Sequence, residues 1–123
     1  VKNKENYLKC DLIPPSVNVY WRGAYRGGRI IHYLSSEAKT FKQTLALLAR
    51  AKNFTVFKGD VILEYKLYCK KKGKKDLDNT LKAIQDALEG ISYENDKQIK
   101  KIIAEKIEFC GWDGIEIRVI EKS

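Results

Sequence analysis

Residues 70–88, KKKGKKDLDNTLKAIQDAL, hold the side chains of this sequence best suited to do chemistry together. Lys70, Lys71, Lys72, Lys74 and Lys75 fill five of six consecutive positions, and Asp76 and Asp78 follow at once with Asn79 beside them. A lysine run attracts a polyanion. Closely spaced carboxylates attract a hard divalent cation, which binds through one or two carboxylates together with substrate phosphates. Side by side, the two sets describe phosphodiester cleavage, in which a metal activates water and offsets charge on the leaving oxygen. The plainer alternative is that Asp76 only caps a helix and Asp78 is only a first-turn acid favoured by the helix dipole.

Whether the two acids can meet depends on the element that carries them. Leu77, Leu81, Ile84 and Leu88 fall at i, i+4, i+7 and i+11, one apolar stripe of an α-helix. Asp78, Lys82 and Asp86 fall at i, i+4 and i+8 and form a neighbouring polar stripe. Gly90 stands where such a helix takes its left-handed terminator. In mid-helix, residues i and i+2 point about 200° apart. Asp76 and Asp78 therefore converge only if Asp76 is extended or at the N-cap while Asp78 opens the first turn.

DLDNTLK, followed by DAL and after a short gap by NDKQ, resembles the signature of the RusA-like Holliday junction resolvases, which are crossover-junction endodeoxyribonucleases. IPPSVNVYWR and SSEAKTFK resemble that family's early segment and its helix-opening segment, so the resemblance runs from residue 12 to residue 96 in the right order. It implies metal binding by three acids that match Asp76, Asp78 and Asp96, and a required lysine that matches Lys82. It also implies Mg²⁺ as cofactor with Mn²⁺ as substitute, branched DNA as partner, and a homodimer, because two symmetric strands must be nicked. One departure is Asn95, where family members often carry another acid. That leaves the third ligand open to Glu94, with Asp96 favoured.

The 123 residues suffice for one domain with a single core. Net charge is +8, from 24 Lys and Arg against 16 Asp and Glu, which favours an anionic partner, most commonly nucleic acid. A membrane surface fits less well, because the lysines gather in a loop rather than along an amphipathic helix. There is no apolar run of membrane-spanning length and no signal-peptide pattern, so a soluble, cytoplasmic protein is expected, and the resemblance implies a bacterial or phage origin. The chain contains no methionine, initiator included, so its start is expected to be trimmed or incomplete. Cys10, Cys69 and Cys110 are odd in number and far apart, and the single His32 cannot complete a zinc set with them. They read as buried, reduced thiols.

Residues 6–13 alternate, with Leu8, Cys10 and Leu12 on one face, as a strand stopped by Pro14 and Pro15. The glycine-rich stretch that follows holds Tyr20, Trp21, Arg22, Tyr25, Arg26 and Arg29. These types either grip phosphates and stack on opened bases, or belong to a hairpin whose rings pack on the core. Ser35 or Ser36 caps a helix to about residue 52, buried through Ala38, Phe41, Leu45 and Leu48. Val61, Leu63, Tyr65, Leu67 and Cys69 alternate as the clearest strand, which delivers the lysines and acids to its C-terminal end. Residues 99–109 read as a strand, GWDG as a turn, and residues 115–120 as the hairpin partner.

The expectation is a single α+β domain over residues 1–123, in β-α-β-α-β-β order, with two helices against one face of a mixed sheet. Its expected function is a metal-dependent, structure-selective endonuclease for four-way DNA junctions. Lys70, Lys71, Lys72, Lys74, Lys75, Arg22, Arg26 and Arg29 are its expected DNA contacts. The alternatives are a non-catalytic basic nucleic-acid-binding module and an RNA-binding accessory protein.

Overall fold

The computed structural model describes residues 4–15, 21–26, 29–73 and 75–122, and for 21–26 and 29–34 the backbone alone. In chain order the elements are β1 (Glu5–Cys10), β2 (Trp21–Arg26), β3 (Arg29–Leu34), α1 (Ser36–Ala51), β4 (Val61–Tyr68), α2 (Leu77–Leu88), β5 (Ile99–Ile107) and β6 (Gly114–Glu121). A 3-10 turn at Asp96–Gln98 leads into β5. The domain is α+β. β1, α1, β4, α2, β5 and β6 give the β-α-β-α-β-β order, and β2 and β3 form a separate hairpin inserted after β1.

The main sheet is mixed, in the order β1-β6-β4-β5. β4 and β5 are parallel, while β6 runs antiparallel to both β1 and β4. The expected hairpin of β5 with β6 is therefore replaced by a pairing across β4. The physical reason lies in the crossover. A strand, a helix and a parallel strand form one right-handed unit, so β5 returns on one edge of β4. The other edge of this buried strand is then open to β6. Residues 108–113 cross the end of β4, a span of about 10 Å for two strand spacings.

Every second residue of β4 is buried, from Val61 and Leu63 through Tyr65 to Leu67. They meet Phe41 and Leu45 of α1, Ile84 and Leu88 of α2, and Ile115, Ile117 and Val119 of β6 in one core. Ser35 caps α1, its Oγ accepting from the Ala38 N–H at 3.2 Å. Ala38, Phe41 and Leu45 are buried as expected, but Ala49 takes the fourth place and Leu48 is only half-buried. The helices touch through Ala38 and Ala83, both fully buried, where the small side chains allow close approach. Gly90 follows α2 with φ +81°, the left-handed terminator that the sequence required.

Candidate active site

α2 begins where β4 ends, and a buried bond holds its first turn to the strand. The Tyr65 hydroxyl donates to Thr80 Oγ1 at 3.0 Å, and Thr80 Oγ1 donates to the Leu77 carbonyl at 2.9 Å. The first helical bond runs from the Thr80 N–H to the Asp76 carbonyl at 3.1 Å. Asp76 is the N-cap residue, extended at φ −73° and ψ 138°, and Asp78 sits in the first turn. The condition for the two acids to converge is met.

The Asp76 carboxylate does not cap the helix, although it occupies the capping position. An aspartate there ordinarily accepts a first-turn N–H. Among the described residues its Oδ2 accepts only from Asn79 Nδ2, at 3.3 Å. Asp76 and Asp78 are both exposed. Lys82, one turn after Asp78, is exposed as well, and among the described residues neither Asp78 nor Lys82 enters an ion pair.

The lysine loop between β4 and α2 is held through its backbone. Asp113 Oδ1 accepts from the Lys70 N–H at 2.7 Å, and Glu108 Oε2 accepts from the Gly73 N–H at 2.6 Å. Lys106 Nζ donates to the Gly73 carbonyl at 3.1 Å. With the main chain tied to the β5–β6 connection, the side chains of Lys70, Lys71 and Lys72 stand in solvent. They border a cleft of about 410 Å³ that Ile13, Lys75 and Tyr68 also line. Glu108, Asp113 and Lys106 are positioning residues that the sequence reading missed. Their one signal was two acids and a lysine close to the expected turn.

Asp96 lies at the other end of α2. It opens the 3-10 turn, and its N–H donates to Glu89 Oε1 at 3.0 Å. Asn95 and Gln98 of NDKQ shape this turn as a capping box, and Gln98 Nε2 ties it to the Phe57 and Gly59 carbonyls at 2.9 and 2.8 Å. Ten residues of helix separate Asp78 from Leu88, about 15 Å at 1.5 Å per residue. Glu94 belongs to the same turn region, so it is no nearer to the acid pair. Among the described residues no three His, Cys, Asp or Glu side chains are grouped to hold a metal ion. One chain thus places Asp76 and Asp78 at the start of α2 and Asp96 beyond its other end. Asp86, beside Glu89, has its carboxyl pushed above the usual range by burial and by the Glu89 charge.

Over residues 12–120 the chain matches the family described as endodeoxyribonuclease RusA. The chain belongs to the RusA family. No curated protein matches it.

Membership in the RusA family implies nuclease activity. The donor set of this RusA-family chain fits a hard divalent cation: two exposed carboxylates with an amide beside them. The three cysteines are free, and burial pushes the Cys10 and Cys69 thiols above their ordinary value. Of the expected DNA contacts, Arg22, Arg26 and Arg29 lie on the β2–β3 hairpin, where Arg26 pairs with Arg29 and Arg22 with Tyr33. Their side chains, and Lys74 altogether, fall outside the described residues. Among the described residues no helix is long and apolar enough to cross a membrane.

Proposed function

We propose that this protein is a metal-dependent, structure-selective endodeoxyribonuclease that resolves four-way DNA junctions by paired symmetric nicks, in recombination and repair. The observation that carries the reading is the Asp76 carboxylate, which stands at a helix N-cap without capping and lies beside Asp78 at the end of a lysine loop. Asp76 and Asp78 hold Mg²⁺, for which Mn²⁺ substitutes, and Asp96, which one chain leaves beyond the far end of α2, completes the donor set in the homodimer. The ion, when bound, polarises a phosphate oxygen and lowers the pKa of water. Lys82, on the same helix face as Asp78, offsets the charge that builds on the phosphate. Lys70, Lys71, Lys72, Lys74 and Lys75 hold the DNA backbone, and Arg22, Arg26 and Arg29 extend that surface. The products are a 5′-phosphate and a nick that ligase can seal.

Family membership supports branched DNA as the substrate, and symmetric nicking supports a homodimer. The test is cleavage of a labelled four-way junction beside a linear duplex of the same sequence. Nicking of the junction with Mg²⁺ or Mn²⁺, none with EDTA, and little on the duplex is the expected result. Binding without cutting in either metal would make the chain a nucleic-acid-binding module instead.

A further inference from the structure

We infer that Phe109 reads the branch of the DNA: its ring stacks on a base at the crossing point of the junction and so sets the preference for branched over linear DNA. This rests on the nuclease reading above, to which it adds a specificity-determining residue.

Exposure is the first observation. Phe109 is 74 % exposed, more than any other large apolar side chain among the described residues. The nearby Trp112 is satisfied within the fold, stacked on Tyr68 at 4.7 Å between ring centroids, with the Lys9 ammonium 5.3 Å from its own. Among the described residues no ring stacks on Phe109. A ring of this size left in water forgoes the burial that aromatic side chains ordinarily gain.

The backbone supplies the second. Phe109 has φ +56°, in the left-handed region, where a bulky side chain is an outlier. The other non-glycine residue there, among those described, is Asn53, a type that tolerates the conformation. Glycine at position 109 would take it without strain. The fold thus keeps a strained backbone and a solvated ring at one position, a combination found where function opposes stability.

Bonds on both sides hold the segment in place. The Cys69 N–H donates to the Ile107 carbonyl at 2.8 Å, the Phe109 N–H to the Lys71 carbonyl at 3.4 Å, and the Cys110 N–H to the Cys69 carbonyl at 3.2 Å. Glu108 is engaged by the Gly73 N–H at 2.6 Å. A backbone fixed in this way costs little further ordering when the ring meets a ligand.

Position says what the ring meets. β4 and β5 are parallel, so Phe109, just past the end of β5, lies at the end of the sheet where the lysine loop leaves β4 and α2 begins with Asp76 and Asp78. Lysines for the phosphates beside an aromatic ring for a base are the combination that holds an opened strand. Apolar wedges also enter continuous duplex, but only by unstacking a base step. Where strands exchange partners, stacking is easier to open, so the same ring gains more at a branch than on linear DNA.

The experiment measures binding in EDTA, where nothing is cut, to a four-way junction and to a duplex of the same sequence. Both carry a fluorescent adenine analogue whose emission reports stacking, in the junction beside the crossing point. Wild-type protein should change the emission of the junction and leave that of the duplex unaltered. Phe109→Ala should abolish the change and weaken junction affinity by about ten- to a hundredfold, the range for one lost base–aromatic stack, with duplex affinity unchanged. Phe109→Trp should keep the preference. Phe109→Gly should lose it yet melt no lower than the wild type, because the strain goes with the ring. A wild-type preference for the junction that Phe109→Ala leaves intact would overturn the role of the ring and leave the nuclease reading standing. So would a Phe109→Ala protein whose lost preference comes with a changed oligomeric state or a lowered melting temperature. Wild-type protein that binds the junction no better than the duplex, and cuts neither in Mg²⁺ or Mn²⁺, would overturn the nuclease reading itself, and the branch-reading ring with it.

Discussion

Tyr65 in the middle of β4 donates its hydroxyl to Thr80 in the first turn of α2, at 3.0 Å and out of contact with water. Thr80 passes the bond on to the Leu77 carbonyl, so the strand controls the turn that holds Asp76 and Asp78. Removing the hydroxyl with Tyr65→Phe keeps the ring and loses the link. Stability should fall by about 1 kcal/mol, the net worth of one such bond. Thermal melting should show a drop of about 4 °C for a domain of this size. Burial raises the Tyr65 phenol well above its ordinary value, so the loss should not vary with pH from 6 to 9.

The acid pair separates catalysis from binding. Asp78→Asn keeps the size of the side chain but removes the charge that a hard cation prefers, so nicking should fall by several orders of magnitude. Junction binding should hold or strengthen, since one negative charge facing phosphate is gone. Lys82→Ala should also lose nicking yet keep its Mn²⁺ affinity. If Asp78 only opened the helix, its loss would cost about 0.3–1 kcal/mol of stability and leave activity intact. Circular dichroism, junction binding and nicking on one purified sample decide between these outcomes.

Lysine contacts to phosphate should make junction affinity fall steeply with salt. Replacing Lys71, Lys72 and Lys74 with alanine should flatten the log–log slope by about two to three units, at about 0.9 per contact. Asp113→Ala tests the clamp. Charge alone says that losing a carboxylate strengthens DNA binding. Loss of the 2.7 Å acceptor for the Lys70 N–H frees the loop, and we expect affinity to weaken. A titration at two salt concentrations shows which effect wins.

Asp86 should set part of the pH dependence of stability. Its carboxyl is raised by burial first and then by Glu89, with Lys42 and Lys82 opposing. Ionisation is therefore harder in the folded chain than in the unfolded one. The resulting penalty is absent below the ordinary carboxylate range, about 4, and develops as pH rises through the folded pKa. Asp86→Asn should melt higher than the wild type at pH 7, and the two should converge near pH 3. A constant difference across that range would assign the effect to packing.

Local patterns in the chain were enough for α2 and its acids. Leu77, Leu81, Ile84 and Leu88 repeat at the helical period, Gly90 can take the positive φ that ends the helix, and Asp76 and Asp78 straddle its start. The alternation from Val61 to Cys69 likewise named β4 and its buried face. These features depend on residues within a turn or a rung of one another, so the sequence alone determined them. Tertiary structure decided the rest. β5 and β6 read as a hairpin because they are adjacent in sequence, but β4 separates them because its crossover takes one edge and leaves the other for β6. Only that arrangement brings Glu108 and Asp113 onto the lysine loop. Asp96 stands after α2 in the sequence, and the antiparallel course of helix and strands carries it to the far end of the sheet. Spacing along a chain reports neighbours on one element, whereas distance between elements depends on the direction each one runs.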